Sequence, residues 1–161
     1  MALAERDGAT TVPSVLAERV AAAPDSPFLV WGDVSLTFAD VDHLSAALAI
    51  SLSDLGVEAG DRVALMLPSR PEFVVALLAA ARLGAVVVPL EPRMAPGEMQ
   101  YMLRHSEAVV AVAMAHLGGV DYFERFDGLI DQLPSLRHVV TVGDEDGWFD
   151  DRILRYDDLV T

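Results

Sequence analysis

Between residues 62 and 142, short apolar segments alternate with longer helical stretches, and this alternation leaves few folds open. A strand with one face in solvent alternates apolar and polar residues, whereas a strand covered on both faces is apolar at consecutive positions. The segments 62–67, 85–89, 108–113 and 137–142 are of the second kind. Because helical stretches separate them, they predict an α/β fold: a mostly parallel sheet with helices on both faces.

Proline and glycine indicate where the intervening helices begin and end. We expect helices over residues 71–83 and 96–105, each beginning at a proline, whose missing N–H costs little in a first helical turn. A weaker helical pattern covers about 120–132. The helix at 71–83 is apolar almost all round, so we expect it to be buried between two layers.

The first third of the chain predicts two helices with a hairpin between them. One helix is expected after Pro13, with Ser14 as its N-cap, and a β-hairpin is expected over residues 28–36. Thr37 followed by Asp40 fits a capping box that opens the second helix. Its apolar positions recur every three or four residues, at Val41, Leu44, Leu48, Leu52 and Leu55. One face of this helix should therefore lie on the sheet.

Length and composition favour a single domain. The chain has 161 residues, enough for one compact unit, and a 53% apolar composition that supplies a core. We therefore interpret residues 1–161 as one subdomain. Its last part, residues 143–161, is acidic and lacks a periodic pattern, so we expect a weakly structured tail.

The charge of the chain argues against several classes of partner. Its formal net charge is −14, with 25 acidic residues against 11 basic ones, all of them arginine. Nucleic acid and anionic membrane surfaces require a cationic face, so neither is an expected partner. No segment suits a membrane span or a targeting signal, so we expect a cytoplasmic protein. A lysine-free chain rich in alanine, valine, aspartate and arginine is typical of a GC-rich bacterial genome.

Sequence motifs for the common catalytic sites are absent. Without cysteine there is no thiolate chemistry, and without lysine there is no nucleotide-binding P-loop. No G-x-S-x-G nucleophile motif and no dinucleotide fingerprint occurs. The four histidines stand apart rather than at metal-ligand spacing, at His43, His105, His116 and His138. We therefore predict no catalytic residue and no metal ligand in this chain.

Two turns at predicted strand ends carry candidate ligand-binding residues. Ser69 and Arg70 lie between a strand and a helix, where an open α/β sheet binds ligands and a helix N-terminus favours anions. The alternative is that Ser69 only caps the helix. Glu91 and Arg93 follow the next strand, in a turn that two prolines stiffen. This turn either contacts a ligand or docks against a neighbouring subdomain.

A run of motifs along nearly the whole chain resembles the adenylate-forming superfamily of acyl-CoA synthetases, peptide-synthetase adenylation domains and luciferases. The matching segments are 35–41 (LTYxEL), 60–69 (GDRVALxLPNS), 71–73 with 82–90 (EF…LGAVxVPL), and 91–93 with 98–103 (NPRLTPEELxYxL). Their order and spacing correspond from about residue 13 to residue 160. Glu91 departs from the family pattern, which often has asparagine there, so substrate contacts at this turn are expected to differ.

The resemblance implies the N-terminal subdomain of a ligase that activates a fatty or aryl acid with ATP, forming an acyl-adenylate and then a thioester. It implies ATP, magnesium and coenzyme A or carrier pantetheine for the complete enzyme, and none of them for this chain. The family's phosphate-loop lysine, ribose-binding aspartate and magnesium-binding acid all lie downstream of the matched region. The chain is then catalytically incomplete alone, and its expected partner is the remainder of the adenylation domain, in the same or a separate chain.

Two other interpretations stay open at this point. A relative of such a ligase can serve as a non-catalytic interaction module, with a homodimer through an exposed apolar face as its candidate assembly. The third interpretation is an α/β domain of unrelated descent that binds a small molecule, although no motif names that molecule.

Overall fold

The structure is a computed structural model that describes residues 10–143 and 151–161. In chain order its elements are α1 Val12–Ala22, β1 Pro27–Trp31, β2 Val34–Thr37, α2 Phe38–Asp54, β3 Arg62–Met66, α3 Pro71–Leu83, β4 Val86–Pro89, α4 Pro96–Ser106, β5 Val110–Met114, β6 His116–Leu117, β7 Val120–Asp121, α5 Tyr122–Asp127, a 3-10 helix Ile130–Gln132, β8 His138–Val142, β9 Ile153–Arg155 and α6 Tyr156–Leu159. No helix in these two ranges is long and apolar enough to cross a membrane.

A five-stranded parallel sheet forms the centre of the fold, in the order β4-β3-β5-β8-β9. Leu65 of β3 lies opposite Pro89 of β4 on one side and Val112 of β5 on the other. Every residue of β5 is buried. The predicted α/β fold with a parallel sheet is confirmed.

Helices cover both faces of the sheet, and the alternation within β3 shows which helices cover which face. Val63 and Leu65 belong to the apolar cluster that joins the sheet to α2 and α3. Ala64 and Met66 belong to the cluster on the opposite face, which includes residues of α4 and α5. A strand that is apolar at consecutive positions therefore has a helical layer for each set of side chains.

Helix α3 lies between the sheet and a further layer, as its nearly uniform apolar character predicts. Ala76 and Ala79 pack in the cluster with the sheet. Leu78 packs in a third cluster with Leu16 of α1 and Val41 of α2, and Leu36 of β2 adjoins it. We call α1 and the β1–β2 hairpin together the outer layer.

The start of α2 confirms one predicted cap, and the start of α1 corrects another. The Thr37 N–H donates to Asp40 Oδ2 over 2.8 Å, and the Asp40 N–H donates to Thr37 Oγ1 over 3.1 Å. In α1 the N-cap is Thr11, and Ser14 occupies the third helical position of the same kind of box. The prediction of Ser14 as the N-cap is wrong because a serine fits either end of a capping box.

Residues 153–159 form a short strand and a short helix, whereas the sequence predicted a weakly structured tail over residues 143–161. Strand β9 adds to the sheet beside β8, with Leu154 opposite Val140. The following α6 buries Tyr156, and the Ser51 hydroxyl of α2 donates to the Leu159 carbonyl over 2.8 Å. A three-residue strand is too short to show periodicity, so only its pairing partner reveals it. Residues 144–150 lie outside the described residues.

Candidate functional site

The strand order places a crevice at one edge of the sheet. From β3 the chain moves outward to β4, then returns past β3 to place β5 on its other side. In open α/β sheets, such a reversal leaves a crevice beyond the carboxyl ends of the strands, and ligands bind there. The loops that follow β3, β4 and β5 therefore form the candidate site.

A cleft of about 460 Å³ occupies this position. Its lining comes from the loops after β3 and β4, the last residue of β4 and one residue of β6, and consists of Leu67, Pro68, Ser69, Pro89, Leu90, Glu91, Pro92, Arg93 and Leu117. Three of the four candidate residues from the sequence, Ser69, Glu91 and Arg93, are thus brought to one opening. Ligand binding by these residues stays a prediction.

Hydrogen bonds hold the turn that carries Glu91 and Arg93. The Leu90 N–H donates to the Leu65 carbonyl of β3 over 2.9 Å, which ties the turn to the sheet. The Arg93 N–H donates to Glu91 Oε1 over 3.1 Å, so the Glu91 carboxylate caps its own turn. The Arg93 guanidinium is exposed and makes no hydrogen bond or ion pair with the residues that the structure describes. It is the group at this opening that can receive an anion.

Tyr122 and Arg125 of α5 support the same turn, and the sequence pattern did not single them out. Arg125 Nη1 donates to the Met94 carbonyl over 3.1 Å, and its guanidinium carbon lies 5.2 Å from the centre of the Tyr122 ring. Burial raises the pKa of the Tyr122 hydroxyl, an effect that the Arg125 charge partly offsets. The phenol is therefore neutral at physiological pH. The only signal in the sequence was a weak helical pattern, which does not indicate the packing partner.

Arg70 does not join the cleft. It is the N-cap residue of α3, and no side chain caps this helix, so the alternative that Ser69 acts as the cap is wrong. Arg70 makes two hydrogen bonds to Glu72, Nε to Oε2 at 3.0 Å and Nη2 to Oε1 at 2.8 Å. Its guanidinium carbon also lies 5.1 Å from the centre of the Trp31 ring of β1. Arg70 thus joins the outer layer to α3 rather than facing the cleft beside Ser69.

The ion pair between Arg70 and Glu72 sets the protonation of Glu72. Burial alone would raise the pKa of the Glu72 carboxyl, but the hydrogen bonds from Arg70, a hydrogen bond from the Glu72 backbone N–H and the charge of Arg70 together outweigh burial and lower it. A carboxyl whose pKa is lower in the folded state stabilises the fold above its unfolded pKa of about 4.3. That stabilisation is lost as the pH falls through the folded pKa.

We expect Glu72→Gln to lower the free energy of unfolding by about 1–2 kcal/mol at pH 7, because it removes a two-point ion pair that is largely shielded from solvent. The difference from wild type should shrink as the pH falls from the unfolded pKa of about 4.3 through the lower folded pKa, because Glu72 then becomes protonated and loses the charge that the variant lacks. Urea denaturation at several pH values measures this difference in the free energy of unfolding. The control is Glu98→Gln, which removes the same charge from an exposed residue that forms no ion pair with residues 10–143 or 151–161. A difference that stays constant down to pH 3 contradicts the prediction.

The structure shows no candidate metal centre in residues 10–143 and 151–161. No group of three or more His, Cys, Asp and Glu side chains in those ranges is arranged to hold a metal ion.

Comparisons with known proteins identify the family. The family model for AMP-binding enzymes matches residues 16–158. The salicyl-AMP ligase / salicyl-S-ArCP synthetase of Mycobacterium tuberculosis is 36% identical over 138 residues, which are 86% of this chain and 23% of that protein. Protein Y of Streptomyces griseus is 37% identical over 139 residues, 85% of this chain and 45% of that protein. The chain thus spans less than half the length of these curated relatives.

Solved structures show the same fold. Acetoacetyl-CoA synthetase from Streptomyces lividans superposes with a TM-score of 0.78 at 29% identity, covering 93% of this chain and 25% of that one. An anthranilate CoA ligase in complex with anthranoyl-AMP superposes with a TM-score of 0.85 over 99% of this chain and 29% of its own. At 22% identity, the second likeness shows the fold alone. With the family model matched over most of its length, the chain belongs to the AMP-binding enzyme family, and its fold is that of the N-terminal subdomain of adenylate-forming ligases.

Proposed function

We propose that the chain forms the N-terminal part of an ATP-dependent carboxylic acid ligase, which makes an acyl-adenylate and passes the acyl group to a thiol. The family match over residues 16–158 carries this proposal. The named relatives include a salicyl-AMP ligase and an acetoacetyl-CoA synthetase, whose names describe carboxylic acids joined to AMP or coenzyme A. ATP, magnesium and coenzyme A or carrier pantetheine are the implied cofactors of the complete enzyme. Its proposed location is the bacterial cytoplasm, where ATP and coenzyme A are available.

The cleft beyond β3, β4 and β5 is proposed as one wall of the site where the acid is activated. Arg93 offers a guanidinium fork suited to a carboxylate or a phosphate. Ser69 adds a hydroxyl that donates or accepts. The Glu91 carboxylate is engaged by its own turn, so its role is to hold Arg93 in place rather than to bind an anion.

The remainder of the adenylation domain, in the same or a separate chain, is the proposed source of the groups that act on ATP. Transfer at a phosphate requires concentrated positive charge or metal at the reacting group. This chain has a net charge of −14 and no lysine. Its part in the reaction is therefore to shape the cleft and to position Arg93.

Exchange of pyrophosphate into ATP tests the proposal. The 161-residue chain alone should give no exchange above the protein-free blank with salicylate, anthranilate or acetoacetate. A fusion in which this chain replaces the matched segment of the Mycobacterium tuberculosis ligase should exchange with salicylate. In that fusion, Arg93→Ala should lower the exchange rate by about tenfold or more, because a charge-assisted hydrogen bond is lost.

The matched control is Arg104→Ala, which removes an exposed arginine of α4 that does not line the cleft. Its exchange rate should equal that of the unmodified fusion. Exchange by the isolated chain would refute its catalytic incompleteness. Equal rates for Arg93→Ala and Arg104→Ala would refute the role of the cleft.

A further inference from the structure

Arg125 of α5 is half-buried and has no carboxylate partner among the residues that the structure describes. The other half-buried arginines each form an ion pair with an acidic side chain, at Arg62, Arg70, Arg82, Arg152 and Arg155. Withdrawing a guanidinium from solvent without a counter-ion costs free energy unless other groups receive its N–H donors. The contacts that Arg125 does make therefore identify what it holds.

Those contacts join α5 to the turn that carries Arg93. Arg125 Nη1 donates to the Met94 carbonyl over 3.1 Å, and its guanidinium carbon lies 5.2 Å from the centre of the Tyr122 ring. Tyr122 is only 1% exposed, so its ring is a fixed surface on which the guanidinium rests. Met94 directly follows Arg93, and its N–H donates to the Glu91 carbonyl over 3.2 Å. A movement of the Met94 peptide would therefore displace Arg93.

Two different elements hold the two ends of this turn. At its start, the Leu90 N–H donates to the Leu65 carbonyl of β3 over 2.9 Å. At its end, Arg125 holds the Met94 carbonyl. Neither contact uses the side chain of Arg93, which is exposed and lines the cleft. The backbone of Arg93 is thus anchored while its guanidinium stays available to a ligand, an arrangement that reduces the cost of ordering the site on binding.

From this geometry we infer that Arg125 is a positioning residue of the ligase: it holds the Met94 peptide against α5 and thereby keeps Arg93 in place to bind the carboxylate or phosphate of a substrate. The inference rests on the proposed function, because Arg93 receives such a group only if the cleft belongs to the activation site. It adds a residue that does not line the cleft to those on which substrate binding depends.

Amide hydrogen exchange in the 161-residue chain tests whether Arg125 holds the turn. Arg125→Met keeps an apolar stem and removes the donor. The Arg93 and Met94 amides, which donate within the turn, should then exchange about fivefold faster or more, while the Leu90 amide should not change. The control is Arg104→Met, because Arg104 is exposed on α4 and does not line the cleft. Unchanged exchange at Arg93 and Met94 in Arg125→Met overturns the inference.

Pyrophosphate exchange by the fusion with the Mycobacterium tuberculosis ligase tests whether this support matters to substrate binding. Arg125→Met should raise the KM of the same substrate that Arg93→Ala affects, ATP or salicylate, by about fivefold or more. When Arg93 is already alanine, adding Arg125→Met should change that KM by less than about twofold, because Arg125 acts through Arg93. A substitution that only reduces the amount of folded protein would lower kcat and leave the KM unchanged.

The outcomes separate this inference from the proposed function. A full loss from Arg125→Met in the Arg93→Ala background overturns the inference, since Arg125 would then act independently of Arg93. A lower kcat with an unchanged KM overturns it as well. A fusion without exchange, or one in which Arg93→Ala has no effect, refutes the proposed function instead. Faster amide exchange at Arg93 and Met94 would in that case still support the hold of Arg125 on the turn.

Discussion

Replacing Leu48 with alanine is expected to lower the free energy of unfolding by about 2–5 kcal/mol. Leu48 has no exposed surface and belongs to the cluster that joins α2 and α3 to the sheet. The substitution removes buried methyl groups and leaves a cavity that a closely packed α/β core cannot fully close. Because a typical domain is stable by about 5–15 kcal/mol, the urea midpoint should shift clearly.

Ile50→Ala provides the matched control for Leu48→Ala. Ile50 lies two residues further along the same helix and is 65% exposed, so its replacement should change the free energy of unfolding by about 0.5 kcal/mol or less. Both variants gain the same alanine in the same helix, so the main difference between them is burial, with a smaller difference in helix propensity between leucine and isoleucine. Similar losses from the two substitutions would show that α2 does not pack on the sheet as described.

Gly84→Val should lower the free energy of unfolding by about 2–3 kcal/mol, as measured by urea denaturation. Gly84 ends α3 with φ +70° and ψ 18°, in the left-handed region that β-branched residues avoid. A Cβ atom there would also lie 3.3 Å from the Cβ of Ala59. The Gly84 carbonyl accepts a hydrogen bond from the Gly60 N–H over 2.9 Å, so a shift at this position disturbs the approach to β3 as well.

Gly97→Ala is the control for Gly84→Val, and its effect should have the opposite sign. Gly97 lies in α4 with ordinary helical geometry, and nothing lies within 4 Å of the Cβ that alanine would add. Alanine in a helix is favoured over glycine by up to about 1 kcal/mol, so this variant should gain stability. A loss at Gly97 similar to that at Gly84 would contradict the conformational explanation.

The sequence predicted helix bounds correctly where a proline or a glycine determines the local backbone conformation. Helix α3 has the predicted bounds, because Pro71 suits a first helical turn and Gly84 permits the left-handed termination. The β6–β7 pair and β9 were not predicted. These strands have two or three residues each, and pairing rather than periodicity defines them.

The candidate site was predictable to the extent that it depends on strand direction. Parallel strands end at one edge, which is why the turns with Ser69 and Arg70 and with Glu91 and Arg93 were candidates; three of these four residues line the cleft. The position of β3 between β4 and β5 depends on long-range pairing, which a single sequence does not indicate. For the same reason, the contact between Arg70 and Trp31 could not be foreseen, since it depends on where the hairpin packs against α3.

The order of the strands has a consequence for synthesis on the ribosome. Strand β3 is made before its neighbour β5, and 43 residues separate Met66 from Val110. At about 5–20 residues per second, one edge of β3 waits roughly 2–9 s for its partner. Residues 63–66 are all apolar and end up fully buried, so in the nascent chain this segment is exposed to mispairing and to capture by chaperones until β5 arrives.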